Sequence, residues 1–274
     1  MPHRSGTSTN LPRCAAMTLS IDVDLRYRFD RPTDILLQLE AALIPEQRID
    51  DAWIDLPGNE HFARVPAQDG VGERIWLLVE NEVQVHYRAA VTVTRDLPDL
   101  GSLAALQPHQ LPGETVPYLL DSLYCPAGRF QTMVDDLFGG AAGGAKIVAM
   151  RDWIAANLRY QTGSSDARTT ALDTFVERRG VCRDYAHLMV SFARAATIPA
   201  RVASVYALGV EPQDFHLVAE VFLGGGWHLV DATGMAEAGN MAKIGIGRDA
   251  ADVSFLTSFG PAEFVEQRVD VRGA

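Results

Sequence analysis

The sequence predicts an α+β protein, with a β-sandwich-like N-terminal region followed by helices packed on an antiparallel sheet. Three observations carry that expectation. Residues 19–29 alternate strictly: Leu19, Ile21, Val23, Leu25, Tyr27 and Phe29 lie on one face, and Ser20, Asp22, Asp24, Arg26 and Arg28 on the other. That is the pattern of a half-buried antiparallel strand. Between residues 145 and 196 apolar residues recur at helical spacing instead. After Pro199 the period returns to two.

Composition bounds the function. The chain has 274 residues, enough for a sizeable core and for two units. At 47% hydrophobic and 22% charged it is ordinary for a soluble globular protein. A net charge of −11 argues against nucleic acid and against anionic membranes as partners. No stretch approaches the roughly 18 apolar residues that span a bilayer. The three cysteines, Cys14, Cys125 and Cys182, are too few and too odd in number for a disulfide framework, which predicts a cytoplasmic location. Residues 1–17 are polar and contain no secretory apolar run; they read as a disordered tail, with Met17 as an alternative start.

From there the N-terminal domain is expected over 18–95. Residues 33–44 read as a second strand, although Leu-Leu-Gln-Leu-Glu-Ala-Ala-Leu alone would also suit a helix. Further strands are expected at 48–56, 60–66 and 74–80, punctuated by Pro57-Gly58-Asn59 and Asp69-Gly70, and at 82–94, where alternation resumes. His61 and His86 read as surface or strand residues rather than ligands. Residues 96–117 carry Pro98, Pro108, Pro112 and Pro117 without periodicity and form the expected linker. A second domain follows over 118–274. Short helices are expected between Tyr118 and Phe138, a flexible break at 139–144, and a helix over 145–158 that buries Ile147, Met150, Ile154 and Leu158. Residues 171–179 read as a helix capped by Thr170 with Asp173, with Gly180 as its left-handed C-terminal residue. Strands are expected at 201–208, 215–223 and 227–231, then loops and one short strand near 265–271.

Chemistry concentrates at three places. Cys182 opens a helix whose buried face is Ala186, Met189, Val190, Ala193 and Ala196, ended by Pro199. Unpaired N–H groups and the dipole at that end favour a thiolate and could hold an oxyanion. A lone cysteine before an apolar helix is also compatible with plain packing. The second and third places share one hairpin. With a two-residue Gly224-Gly225 loop, residue 222 faces 227 and 220 faces 229, so His216 and Asp231 fall on one face as diagonal neighbours. A three-residue loop would put them on opposite faces. Cys182 as nucleophile, His216 as base and Asp231 as the orienting acid would make a thiol site. A core histidine and a turn aspartate are the plain alternatives. A one-Cys, one-His, one-Asp set could in principle bind Zn²⁺, but without paired spacing it is poor metal evidence.

The motifs Gly180-Val181-Cys182-Arg183-Asp184-Tyr185-Ala186, Ile198-Pro199-Ala200-Arg201, His216-Leu217-Val218-Ala219-Glu220-Val221 and Gly226-Trp227-His228-Leu229-Val230-Asp231-Ala232-Thr233 resemble the transglutaminase-like superfamily, most closely its bacterial branch named for cysteine proteases. The order Cys, His, Asp and the gaps of 34 and 15 residues resemble the family's. Leu217-Val218 and Ala232 depart from its usual small, aromatic and proline residues. The resemblance covers 145–234 and implies a papain-like transglutaminase core in a catalytic domain over 118–274. It implies a thiol-dependent hydrolase of amide or peptide bonds, working through a thioester with Cys182, His216 and Asp231. Protein-glutamine acyl transfer and a non-catalytic scaffold keeping the fold are the alternatives. The resemblance also points to Tyr160 or Gln161 as an oxyanion donor. Asp184 reads as a helix-dipole residue paired with Arg183 or Arg179, and Glu220 as a buried acid paired with Arg201. His187 and His228 read as non-catalytic. No EF-hand motif appears, and neither cofactor nor metal is expected.

Overall fold

The computed structural model describes residues 16–58 and 62–274. The tail expected over 1–17 lies outside the described residues except for its end, and so do Cys14 and His61. Met17 already belongs to a strand. The N-terminal elements are β1 (Met17–Arg28), β2 (Thr33–Leu37), β3 (Gln47–Asp55), β4 (Ala63–Pro66), β5 (Glu73–Val79) and β6 (Glu82–Val93). The middle holds α1 (Gln131–Phe138), α2 (Gly143–Asn157), β7 (Arg159–Tyr160), α3 (Ala171–Glu177), β8 (Arg179–Gly180) and α4 (Cys182–Ala195). Then come β9 (Ala200–Ala207), β10 (His216–Leu223), β11 (Gly226–Val230), β12 (Met241–Gly247), β13 (Leu256–Ser258) and β14 (Glu263–Gly273).

Two four-stranded antiparallel sheets, ordered β14-β1-β6-β3 and β13-β2-β5-β4, face each other as the sandwich. The apolar face of the alternating β1 packs with Val83, Val85 and Tyr87 of β6 against Ile35, Leu37, Ile75 and Leu77. The third sheet, ordered β11-β10-β9-β12, carries α4 on one face. There Leu188, Met189 and Phe192 meet Val202, Ala219 and Val221. Its other face holds a smaller core around Val205, Val218 and Ile246, and Tyr206 and Ile244 reach the sandwich core. This sheet is covered on both faces, so β9, β10 and β12 are buried at every residue.

Three sequence expectations are corrected. The 118–274 segment does not form a unit of its own, because β13 and β14 return to the sandwich as edge strands of its two sheets. β14 pairs with β1 from Leu19↔Gly273 to Arg28↔Glu263 and covers an edge that β1 would otherwise leave open. The 96–117 segment is a packed strap rather than a spacer: Leu103 C=O accepts the Gly144 N–H at 2.7 Å, Ala104 C=O accepts the Gly224 N–H at 2.8 Å, and Thr115 is buried. The glycine run at 139–144 is no flexible break for the same reason, since Gly143 and Gly144 begin α2.

Candidate active site

The nucleophile candidate is positioned by a short local sequence. Thr170 caps α3 as expected: its hydroxyl accepts the Asp173 N–H at 3.4 Å, and its own N–H donates to the Asp173 carboxylate at 2.8 Å. The left-handed residue at the end of α3 is Arg178 (φ 57°), however, and not Gly180. Gly180 serves a different need. A Cβ there would lie 2.6 Å from Asp184 Cβ, so only glycine leaves room for that side chain. Asp184, fully buried, uses the room to accept the Val181 N–H at 2.8 Å and the Ser165 hydroxyl at 2.6 Å. It also lies 3.4 Å from Arg183. Asp184 thus fixes the first turn of α4, and Cys182 opens that helix half-buried.

The hairpin register is the two-residue one: Leu223 faces Gly226, Phe222 faces Trp227 and Glu220 faces Leu229. Gly224 and Gly225 both take positive φ, 60° and 85°, which the primed turn requires. His216 and Asp231 therefore meet, with Nε2 to Oδ2 at 3.0 Å. The acid is held from all sides. Its Oδ1 accepts the Thr233 N–H and hydroxyl at 2.8 and 2.7 Å, and its Oδ2 accepts the Ala236 N–H at 3.1 Å. Nδ1 of His216 is buried and has no hydrogen-bond partner among the described residues.

Electrostatics ties the ring to the thiol. Burial alone lowers the His216 pKa, but the Asp231 hydrogen bond and the neighbouring Cys182 outweigh it and raise it to about 9. Burial pushes Asp231 up, yet His216 and Thr233 win and hold its carboxyl below the usual range. The Tyr160 hydroxyl also lies at Cys182; burial and that thiol push it up to about 12, so it stays protonated and able to donate. Cys182 and His216 line one cleft of about 480 Å³ with Ser204, Asp214, Phe215 and Phe255. A single cleft thus brings together a thiol and a ring held by a carboxylate, with the Tyr160 hydroxyl beside the thiol.

The other candidates lie elsewhere. Gln161 donates its N–H to Gly180 C=O at 2.9 Å, and its side chain accepts from Arg159 at 2.8 Å. Glu220 sits four residues along β10 from His216, roughly 13 Å at strand rise. It is paired with Arg201 Nε at 2.6 Å, as expected, and with Lys243 Nζ at 2.5 Å. His187 is fully buried, accepts the Ala250 N–H at 3.1 Å, and is pushed down to about 3 by burial. His228 donates to Leu223 C=O at 3.1 Å. Among the described residues no cluster of three or more His, Cys, Asp or Glu could hold a metal. Sequence reasoning missed Thr233, although its place two residues after Asp231 is the spacing of an Asx turn. It also missed Ser165 and Lys243, whose distance along the chain left no local signal.

The family model of the transglutaminase-like superfamily matches residues 132–232. The chain is similar over 95% of its length to the crystal structure of a "Putative Cysteine Protease" from Cytophaga hutchinsonii, at 30% identity and a TM-score of 0.88, covering 91% of that chain. An uncharacterized protein of Mycobacterium leprae is 31% identical over 121 residues, 40% of this chain and 42% of that relative, so the match spans less than half of its length. The periplasmic domain of TgpA from Pseudomonas aeruginosa bound to ethylmercury aligns at 17% identity over 82% of this chain and 92% of its own, with a TM-score of 0.44.

Proposed function

Because the chain belongs to the transglutaminase-like superfamily, whose fold supports a papain-like thiol enzyme, we propose that it hydrolyses amide or peptide bonds through Cys182, His216 and Asp231. The observation that carries the reading is the state of His216. One ring nitrogen is committed to Asp231, the other is buried and unpartnered, and the ring shares an open cleft with a half-buried cysteine at a helix N-terminus. A scaffold that merely kept the fold would have no need of an open cleft at a buried, partnerless nitrogen.

In this mechanism the Cys182 sulfur attacks the carbonyl carbon. A C–S bond forms and the carbonyl pair moves onto oxygen, where the Cys182 N–H and the Tyr160 hydroxyl receive it. Collapse breaks the C–N bond, and His216 gives its proton to the departing amine. Water then attacks the thioester and yields its proton to His216. The C–S bond breaks, the acid leaves, and the thiolate and imidazolium return. Asp231 keeps the ring oriented and supports its charge throughout.

Iodoacetamide labelling followed by mass spectrometry tests the nucleophile. Cys182 is expected to react well ahead of Cys14 and Cys125; Cys125 is fully buried, and burial pushes its thiol up to about 12. Equal labelling of all three would overturn the reading. Cys182→Ala is expected to abolish turnover of a casein-derived peptide mixture. Mass spectra of the products separate outcomes, because free acids support hydrolysis and amine adducts would assign acyl transfer instead.

A further inference from the structure

The cleft is not built by the third sheet and its helices alone. One wall comes from the sandwich: Ser254, Phe255 and Thr257 line it, and they lie in and just before β13, the edge strand of the sheet β13-β2-β5-β4. We propose that this free edge is the substrate-binding ledge of the site, taking an extended peptide as an added strand with a large apolar side chain against the adjoining aromatic wall. The inference rests on the thiol-hydrolase reading above and names its substrate class.

The backbone directions support it. Phe255 C=O accepts the Gln38 N–H at 3.0 Å and the Phe259 N–H donates to Asp34 C=O at 3.1 Å, so residues 255, 257 and 259 turn their polar groups toward β2. In an antiparallel ladder the alternate residues, Leu256 and Ser258, then turn theirs outward. Leu256 C=O is met by the Ser254 hydroxyl at 2.7 Å. Among the described residues, the Leu256 N–H and both backbone groups of Ser258 have no neighbouring strand. An edge of this kind beside a reactive centre is the arrangement by which extended peptides are bound through main-chain hydrogen bonds. Two outward residues, two apart, match a peptide of three residues.

Side chains supply the apolar preference. Phe255 stacks on Phe215, the residue before His216, with ring centroids 4.5 Å apart and planes 9° from parallel. On the outer face Thr257 stands opposite Leu36, and Leu36 opposite Trp76, whose ring stacks on the exposed Phe259 at 5.2 Å. Thr257 of the cleft wall thus shares one face of the sheet with a row of Leu36, Trp76 and Phe259. A substrate residue paired with Thr257 would lay its side chain on that row, since directly opposed residues share a face.

The test uses the intact protein and electrophilic probes that report on Cys182 by mass. Three kinds of chloromethyl ketone are compared: acetyl-alanyl, acetyl-tripeptidyl with one phenylalanine moved through the three positions, and the best tripeptide with each backbone amide N-methylated in turn. One phenylalanine position is expected to alkylate Cys182 at least tenfold faster than the single-residue probe, with N-methylation of at least one amide removing that gain. Leu256→Pro, which deletes an outward N–H and no bond to β2, is expected to remove it too. Should that variant fail to fold, the N-methyl series stands by itself. Tripeptides no faster than acetyl-alanyl, or unaffected by every N-methyl group, would overturn the ledge while leaving the thiol reading intact. Failure of every probe to prefer Cys182 over Cys125 would overturn both.

Discussion

At the residue scale, His216 is the balance point of the site. Burial pulls its proton affinity down, while Asp231 and Cys182 pull it up further, to about 9 from an ordinary 6.5. The shift is upward, so the fold favours the charged ring. The stability this contributes is complete below about pH 6.5 and is lost as pH climbs through about 9. The proposed chemistry needs imidazolium to protonate the leaving amine, so kcat/KM is expected to fall along an alkaline limb centred near 9. In Asp231→Asn the limb should move to lower pH, because the chief support of the charged ring is gone; a limb that stayed in place would belong to another group. Gly180 gives a second residue-scale prediction. A methyl there would press on Asp184 at 2.6 Å, and Asp184 has no free space to yield. Gly180→Ala is therefore expected to cost about 1–3 kcal/mol in urea unfolding, as overpacking does, and to slow alkylation of Cys182 by shifting the first turn of α4.

At the element scale, the first turn of α4 depends on one acid. The Asp184 carboxylate satisfies the Val181 N–H and the Ser165 hydroxyl. Asp184→Ala is expected to cost roughly 1–2 kcal/mol, the range of a lost helix cap, while Asp184→Asn, which can still accept the N–H, should cost less; chemical denaturation of both variants checks the order. Elements with local signals were readable in advance. The alternation of β1, the Thr170 cap and the Gly224-Gly225 turn each depend on neighbours in sequence, and the turn fixed the register that joins His216 to Asp231. What was not readable depends on distant chain. The strand Met241–Gly247 is buried on both faces and so shows no alternation. The return of β13 and β14 to the sandwich is a pairing across the whole chain. Gly180 reads from its neighbours as a helix-ending residue, because the chain order does not show that its hydrogen makes room for Asp184 Cβ.

At the scale of the whole molecule, the third sheet is joined to the sandwich by buried charge. β9, β10 and β12 each contribute one member, Arg201, Glu220 and Lys243, and all three are buried. Burial pushes Glu220 up, but Lys243 and Arg201 outweigh it and keep the carboxyl ionised. Lys243 also reaches Glu46 at 3.1 Å, just before β3, and Arg95 binds the same carboxylate at 2.8 Å. Arg201 lies 3.8 Å from Asp69 and packs over the Trp227 ring at 3.8 Å. Charges withdrawn from water are tolerated only while they remain paired, so the order of effects can be stated. Glu220→Leu leaves two buried cations facing each other and is expected to cost about 3–5 kcal/mol, whereas replacing all three together by Met, Leu and Met should recover most of that loss. Asp69, at 38% side-chain exposure, can turn to solvent once Arg201 is gone, and Glu46 keeps Arg95 as its partner. Urea unfolding of the single and triple variants decides between this account and simple packing. If packing were the source, the triple variant would be the least stable of the set, and the ion network would have no part in holding the sandwich against the sheet that carries His216.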